Sequence, residues 1–260
     1  MQEEYKSKER KIKNYMIIAS KDNNLIKEIK KLKEKKYRKE KYIVEGIKIV
    51  KEAIEEKVSI ELIVMSESFN ENIVGMDTYR KIVVTDKIFK ELSDVCTPQG
   101  ILAIINKNTN KKIDYNAEYI MFLDGIQDPG NIGTIIRTLD SANIKQLLVT
   151  KDTIEVYNPK VVRSTMGAIF RVNVIEIEDY LQTFKDLRKN GFEIVSTSLD
   201  ATKSVYDITY NKKVVVIGNE ANGVSKLAQE NSDFLVKIPM LGKAESLNAA
   251  VAASIMIYEY

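Results

Sequence analysis

The chain contains no histidine, a single cysteine and no long apolar run, and each deficit removes a class of function. Without imidazole, serine-histidine hydrolases, zinc deaminases and most transition-metal enzymes are excluded, because the usual general base and nitrogen ligand are missing. No metal is therefore expected. One cysteine, Cys96, cannot form an intrachain disulfide framework or a thiolate cluster. Flanked by Val95 and Thr97, it reads as a small buried hydrophobe rather than a nucleophile. No segment approaches the length of apolar chain that a membrane span needs. The first residues, MQEEYKSKERKIKNYM, carry acids and lack an apolar core, so they do not read as a secretory signal. A cytoplasmic protein without membrane partners is expected.

What is present is enough apolar chain, 44% of 260 residues, for one large domain or two compact ones. The net charge is only +3, but residues 1–60 hold 18 Lys/Arg against 11 Asp/Glu, leaving the remainder acidic. The densest basic stretch is KEIKKLKEKKYRKEK, residues 27–41. Such a run is either a solvated helix face or a phosphate-contacting surface.

Within that stretch Leu25, Ile26, Ile29 and Leu32 recur at helical spacing between lysines, with Asp22 or Asn23 placed to cap the start. A strand over 41–44 follows, then an amphipathic helix marked by Ile47, Val50 and Ile54. Strands over 60–65 and 82–85, a helix over 87–92 capped by Asp86, the turn TPQG and a strand over 101–105 complete a small α/β domain. The polar segment 107–117, KNTNKKIDYNA, reads as a linker between domains over 13–106 and 118–260. Beyond it, strands are predicted near 119–123, 146–150, 172–174, 192–196, 214–217 and 234–238. Helices are predicted near 132–143, 160–168, 177–189, 225–230 and 246–258. Near-continuous apolar strands such as IMFL and VVVI suit a parallel sheet covered on both faces.

Three strand ends carry candidate chemistry. LDGIQDPGNIGTIIRTLDSANI, 123–144, runs from an apolar strand through Pro129, Gly130 and Gly133 into a helix bearing Arg137; a glycine-containing turn and a helix start favour anions and close backbone approach. The spacing is neither G-x-G-x-x-G nor GxxxxGK, which weakens an NAD or ATP assignment. VVVIGNEANGVS, 214–225, repeats the strand-to-loop design; Gly218 and Gly223 serve either a turn or a ligand, and Glu220 stands between them. In VKIPMLGKAESLNAAVAASIMIYE, 236–259, Pro239 and Gly242 break a strand. Ser246 or Asn248 can cap a helix whose alanines suit close packing.

With NPKVVRSTMGAIFRVNV between them, these segments resemble the motifs of the SpoU/TrmH family of SPOUT methyltransferases over about 118–260, GNEANG and IPMLGKAESLNAA being the most specific. YIVEG and TPQG make the N-terminal region similar to the substrate-binding domain that precedes this catalytic domain in ribosomal RNA members. The resemblance implies an α/β chain whose C-terminal SPOUT domain has a deep trefoil knot around a mostly parallel sheet, preceded by a smaller ribosomal-protein-like α/β module. Without it, the rule against threaded connections would point to an ordinary doubly wound fold. It also implies S-adenosyl-L-methionine as cofactor, a homodimer, and transfer to a ribose 2'-hydroxyl of structured RNA, 23S ribosomal RNA being favoured. A transfer RNA substrate, or a non-catalytic RNA-binding protein retaining the fold, is the alternative.

The implied catalytic residues are Arg137, Asn131, Glu220 and Asn248, and the implied cofactor residues are Gly218, Ile238, Leu247, Ser246 and Thr197. Lys31, Lys35, Lys36, Arg38 and Arg163 are the expected RNA contacts. Ala221 and Ala249 depart from the family pattern, which more often has glycine and valine there. With no histidine to act as base, and a guanidinium that stays charged, Arg137 is expected to bind a phosphate or the developing alkoxide.

Overall fold

The computed structural model describes residues 17–207, 209 and 212–259. The residues read as lacking a secretory signal and the expected start of the first domain at residue 13 lie outside the described residues. The chain divides into two compact units, Met1–Asn108 and Thr109–Tyr260. Among the described residues no helix is long and apolar enough to cross a membrane.

The first unit has a five-stranded sheet ordered β1 (Ile17–Ile18), β4 (Lys81–Val84), β3 (Ile60–Ser66), β5 (Ile101–Asn106), β2 (Lys41–Glu45). β1, β4 and β3 run parallel, and β5 is antiparallel to both β3 and β2. Its helices are α1 (Asn24–Lys31), α2 (Ile47–Glu55) and α3 (Asp86–Leu92). The helical spacing read in α1 buries Ile26 and Ile29 beside Phe89, Leu92, Leu62 and Leu102 while its lysines face outward. Asn23 is its cap, accepting from the Leu25 amide at 2.9 Å.

The expected cap of α3 and the expected burial of Cys96 both fail in this unit. Thr85, not Asp86, caps α3 through the Ile88 amide, and Asp86 is the first helical residue. There its carboxylate accepts instead from the Ser68 hydroxyl at 2.7 Å. Cys96 is exposed rather than buried. The loop turns Ser93 inward instead, where its hydroxyl donates to Glu45.

The second unit is built on a seven-stranded sheet whose neighbours all run parallel. Its order is β10 (Lys203–Ser204), β12 (Phe234–Lys237), β9 (Glu193–Thr197), β11 (Lys213–Gly218), β6 (Tyr119–Asp124), β7 (Gln146–Val149), β8 (Asn173–Glu176). The apolar runs in β6 and β11 are buried on both faces at the middle of the sheet, as their composition requires. Its helices are α4 (Pro129–Ser141), α5 (Pro159–Ser164), α6 (Tyr180–Lys189), α7 (Lys226–Glu230) and α8 (Ala249–Tyr258). After β12 near one margin of the sheet, the chain returns inward so that α8 packs on α4 and β11, and the Tyr119 hydroxyl donates to the Met256 carbonyl at 3.2 Å.

The predicted helix over 160–168 is broken. Met166 and Gly167 take left-handed φ of 53° and 97°, ending α5 and starting a separate 3-10 turn at Ala168–Phe170. The helix predicted from 246 begins at Ala249 with Asn248 as its cap, which leaves Ser246 in the preceding loop.

Candidate active site

Parallel strands deliver their C-terminal ends to one edge of the sheet, which is where open α/β sheets bind ligands. β6 ends at Asp124, and Gly125, at φ 74°, turns the chain toward α4. Its amide donates to the hydroxyls of Thr150 (3.0 Å) and Thr153 (3.2 Å). Asp128 caps α4, accepting from the Asn131 amide at 2.8 Å, and Pro129 occupies the first turn, where its missing N–H costs nothing.

From the end of β11 a second loop folds against the first. Gly218 permits this, because a Cβ there would lie 2.0 Å from the backbone of Gly223 and Val224. Asn219 fastens the loop. Its Nδ2 donates to the Gly125 carbonyl (2.8 Å), and its Oδ1 accepts from the amides of Ala221 (3.0 Å) and Asn222 (3.2 Å). Glu220 then reaches the start of α4, accepting from the Gln127 amide (3.2 Å), the Asp128 amide (3.1 Å) and Asn131 Nδ2 (2.8 Å). A carboxylate at a helix N-terminus meets unpaired amides and the positive end of the helix dipole. Burial opposes ionisation of Glu220, but the Asn131 amide and the backbone donors outweigh it and hold its carboxyl below the usual range.

The third segment joins through Asn248. Its Nδ2 donates to Asn131 Oδ1 at 2.9 Å while its own Oδ1 caps α8 at the amides of Ala250 (2.9 Å) and Val251 (3.3 Å). A continuous relay, Glu220–Asn131–Asn248, therefore ties the three segments named from sequence. Asn131 is its centre and is 7% exposed.

Beside the relay lies a cavity of about 410 Å³ whose lining includes Thr197, Gly218, Glu220, Ile238, Ser246 and Leu247. The five residues expected to hold a cofactor are thus all brought to one cavity, with Glu220. Sequence reasoning missed Asp200, Asn219 and Glu245, which also line this cavity. Only Asn219 left a signal, since asparagine at a turn start commonly bonds the backbone two residues on.

Arg137 is not brought to this cavity. It is exposed on α4, outside the lining, and makes no hydrogen bond or ion pair among the described residues. Arg163 is half-buried on α5. Lys31, Lys35 and Lys36 lie on the surface of the first unit. Arg38 departs from its expected surface role. It is 3% exposed, and its guanidinium donates to the carbonyls of Leu32 (2.9 Å) and Lys33 (2.6 Å).

Known proteins share this fold. Residues 118–258 match the SpoU rRNA methylase family and residues 23–103 match the MRM3-like substrate binding domain. The Bacillus subtilis 23S rRNA (guanosine(2553)-2'-O)-methyltransferase RlmP is 30% identical over 249 residues, covering 93% of this chain and 97% of that one. An AdoMet-bound rRNA methyltransferase from Sinorhizobium meliloti superposes with a TM-score of 0.82 at 26% identity, covering 94% of this chain and 97% of its own. The SpoU methyltransferase AviRb from Streptomyces viridochromogenes, in complex with AdoMet, shares the fold with a TM-score of 0.82 at 24% identity over 91% of this chain and 96% of that one. With three tied strand-end loops on a parallel sheet of the SPOUT knot type, the chain belongs to the SpoU rRNA methylase family and is an RNA ribose 2'-O-methyltransferase with an N-terminal substrate-binding domain.

Proposed function

We propose that this chain, as a homodimer, uses S-adenosylmethionine to methylate a ribose 2'-hydroxyl in 23S ribosomal RNA. The observation that carries the reading is the cavity held open beside the Glu220–Asn131–Asn248 relay. Its volume, about 410 Å³, suits a nucleoside-sized ligand. Asp200, Glu220 and Glu245 outnumber the one lysine, Lys237, in its lining, a balance that suits a cationic one. Backbone at Gly218, Ile238 and Leu247 would hold the cofactor, with Thr197 and Ser246 adding hydroxyls. The bound cofactor supplies an electrophilic methyl group on a sulfonium.

The chain's own residues then have two tasks. The relay fixes the loops that would hold the methyl donor, and a fixed site would lower the barrier through orientation. Glu220 is tied by three donors and held below the usual carboxylate range, which makes it a fastener and a weak base. Arg137, with its guanidinium uncommitted, binds the phosphate beside the target ribose or the oxygen as negative charge develops on it. Asn131, Glu220 and Asn248 act through loop position. Arg163 contributes to the RNA face of the same domain.

Assembly explains why Arg137 stands apart from the cavity. On the same side of α4, Thr134 lines a groove of about 440 Å³ with Ala250, Val251, Ser254 and Tyr258 of α8 and with Tyr206. Tyr206, Val251 and Tyr258 are 59%, 47% and 65% exposed, an apolar set of the kind that self-association covers. Arg137 lies one turn from Thr134, so a second copy in the groove would bring it against that copy.

The 23S substrate is supported by the Bacillus relative, which is aligned over nearly its whole length. The test is to incubate protein, methyl-labelled S-adenosylmethionine and either ribosomal or transfer RNA, then map 2'-O-methyl positions. Label in 23S RNA alone is expected. Label confined to transfer RNA would overturn the substrate, and no label in either would favour an RNA-binding protein without turnover.

A further inference from the structure

Nine basic residues lie between Lys27 and Lys41; Arg38 is buried, and the structure sorts the eight lysines into two sets. Lys27, Lys30, Lys33 and Lys41 are paired with Asp22, Glu91, Asp94 and Glu61. Lys33 also donates to the carbonyls of Glu91 (3.0 Å) and Ser93 (2.9 Å), tying the end of α1 to the end of α3. Of these, Lys30 and Lys33 are the less exposed and serve the fold. Lys31, Lys35 and Lys39 make no ion pair among the described residues. Lys36 pairs only with Glu34, both side chains being more than half exposed, a contact of little strength in water.

Tyr37 stands in the middle of this second set. It closes the 3-10 turn Lys35–Tyr37 and is 42% exposed. Two ammonium groups lie over its ring, Lys36 Nζ at 4.8 Å and Lys31 Nζ at 5.7 Å from the centroid. The next residue, Arg38, is turned inward and fixes the turn from beneath through the carbonyls of Leu32 and Lys33. Burying a guanidinium is unfavourable unless its protons are matched. A merely solvated lysine face needs no such strut, whereas a surface that must present one ring and its cations in a set position does.

We propose that Tyr37, with Lys31, Lys35 and Lys36, is a stacking platform for an unpaired nucleotide of the RNA substrate, an assignment that rests on the RNA reading above. A base takes the face of the phenol, and the ammonium groups move from the ring to the flanking phosphates. Aromatic stacking accepts any base whose faces are free, but not one held inside a helix. A duplex or an acidic peptide would engage the lysines and leave the ring unused.

The experiment measures binding of the full-length protein to a fluorescein-labelled single-stranded oligoadenylate and to a blunt RNA duplex of equal length. Wild type is expected to bind both. Tyr37→Ala should weaken the single strand about thirtyfold, the middle of what one base on one aromatic face contributes, and leave the duplex unchanged. Tyr37→Phe should stay within about twofold of wild type, because it keeps the stacking face. Tyr37→Leu, which keeps bulk without a π face, should lose the single strand as alanine does while its thermal midpoint stays at the wild-type value. Lys31→Gln should lower the salt slope on the single strand by about 0.7. Equal losses on both RNAs, or no loss on the single strand, would overturn the platform while leaving RNA binding intact. Failure of wild type to bind either RNA would overturn the RNA reading of this domain and the platform with it.

Discussion

Glu220 occupies the place where a general base would be sought, but its surroundings assign it another task. Its two oxygens accept from Asn131 and from the amides of Gln127 and Asp128. Burial resists its charge, yet those donors prevail and its carboxyl lies below the usual range. A group whose folded-state pKa is depressed stabilises the fold above its unfolded value, and that contribution disappears as pH falls through the folded value. The Gln127 and Asp128 amides should therefore exchange slowly at neutral pH and open on acidification below the ordinary carboxylate range. In Glu220→Gln, which keeps an acceptor but not the charge, their intrinsic-rate-corrected protection should be weaker and independent of pH there. An unchanged acid response in that variant would assign the transition to another group. Arg137 makes the opposite case, a charge committed to nothing among the described residues. Arg137→Ala should lower kcat by about 10²–10³, the size seen when one donor to a developing anion is removed, and leave cofactor affinity measured by calorimetry near wild type. Lysine should recover only part of the loss, because it lacks the bidentate fork. Full turnover of the alanine variant would remove the role.

At the scale of elements, close contact between α4 and α5 depends on Gly133. A Cβ there would meet Ser164 Oγ at 1.9 Å and the Ser164 backbone carbon at 2.8 Å. Ser164 cannot easily move aside, since its single hydroxyl proton is shared between the Val161 carbonyl (2.7 Å) and the Pro129 carbonyl (3.0 Å). Gly133→Ala should therefore destabilise the domain by about 1–3 kcal/mol, the usual cost of overpacking, and a denaturation midpoint at or above wild type would show that α5 yields freely. Sequence marked Gly133 as a backbone-approach residue without showing what approaches. The same limit recurs elsewhere. The central strands β6 and β11 were legible because burial on both faces demands unbroken apolar runs, and α1 because its apolar spacing matches the helix period. The two-residue strands β1 and β10 carry no period to read. The break after α5 was hidden because Met166, a good helix former, takes φ 53° despite its propensity. Asn248 and Ser246 were equivalent as caps on paper, and Asn248 takes the position because its amide also reaches Asn131. Arg38 was misread with its neighbours because a basic run does not disclose which member turns inward.

For the whole molecule, the cavity beside the relay is lined by residues of one chain, whereas the guanidinium assigned to the target lies outside that lining. Cofactor binding and methyl transfer should therefore depend differently on assembly. The groove between α4 and α8 is the place to separate them. Val251 stands there, 47% exposed, on a helix whose opposite side is packed through Ala249, Ala253 and Met256. Val251→Asp should leave the isolated fold intact, since the new carboxylate faces water in a single chain. In a two-fold dimer the change is made twice, and each buried unpaired charge costs several kcal/mol. Light scattering should show the dimer replaced by monomer at micromolar concentration, and transfer to RNA should fall with the dimer fraction while each monomer still binds S-adenosylmethionine. A monomeric variant with full turnover would place Arg137 and the cavity in one working chain. A variant that remains dimeric would put the interface elsewhere, and a loss of cofactor binding in step with the dimer would mean that the cavity itself requires the second copy.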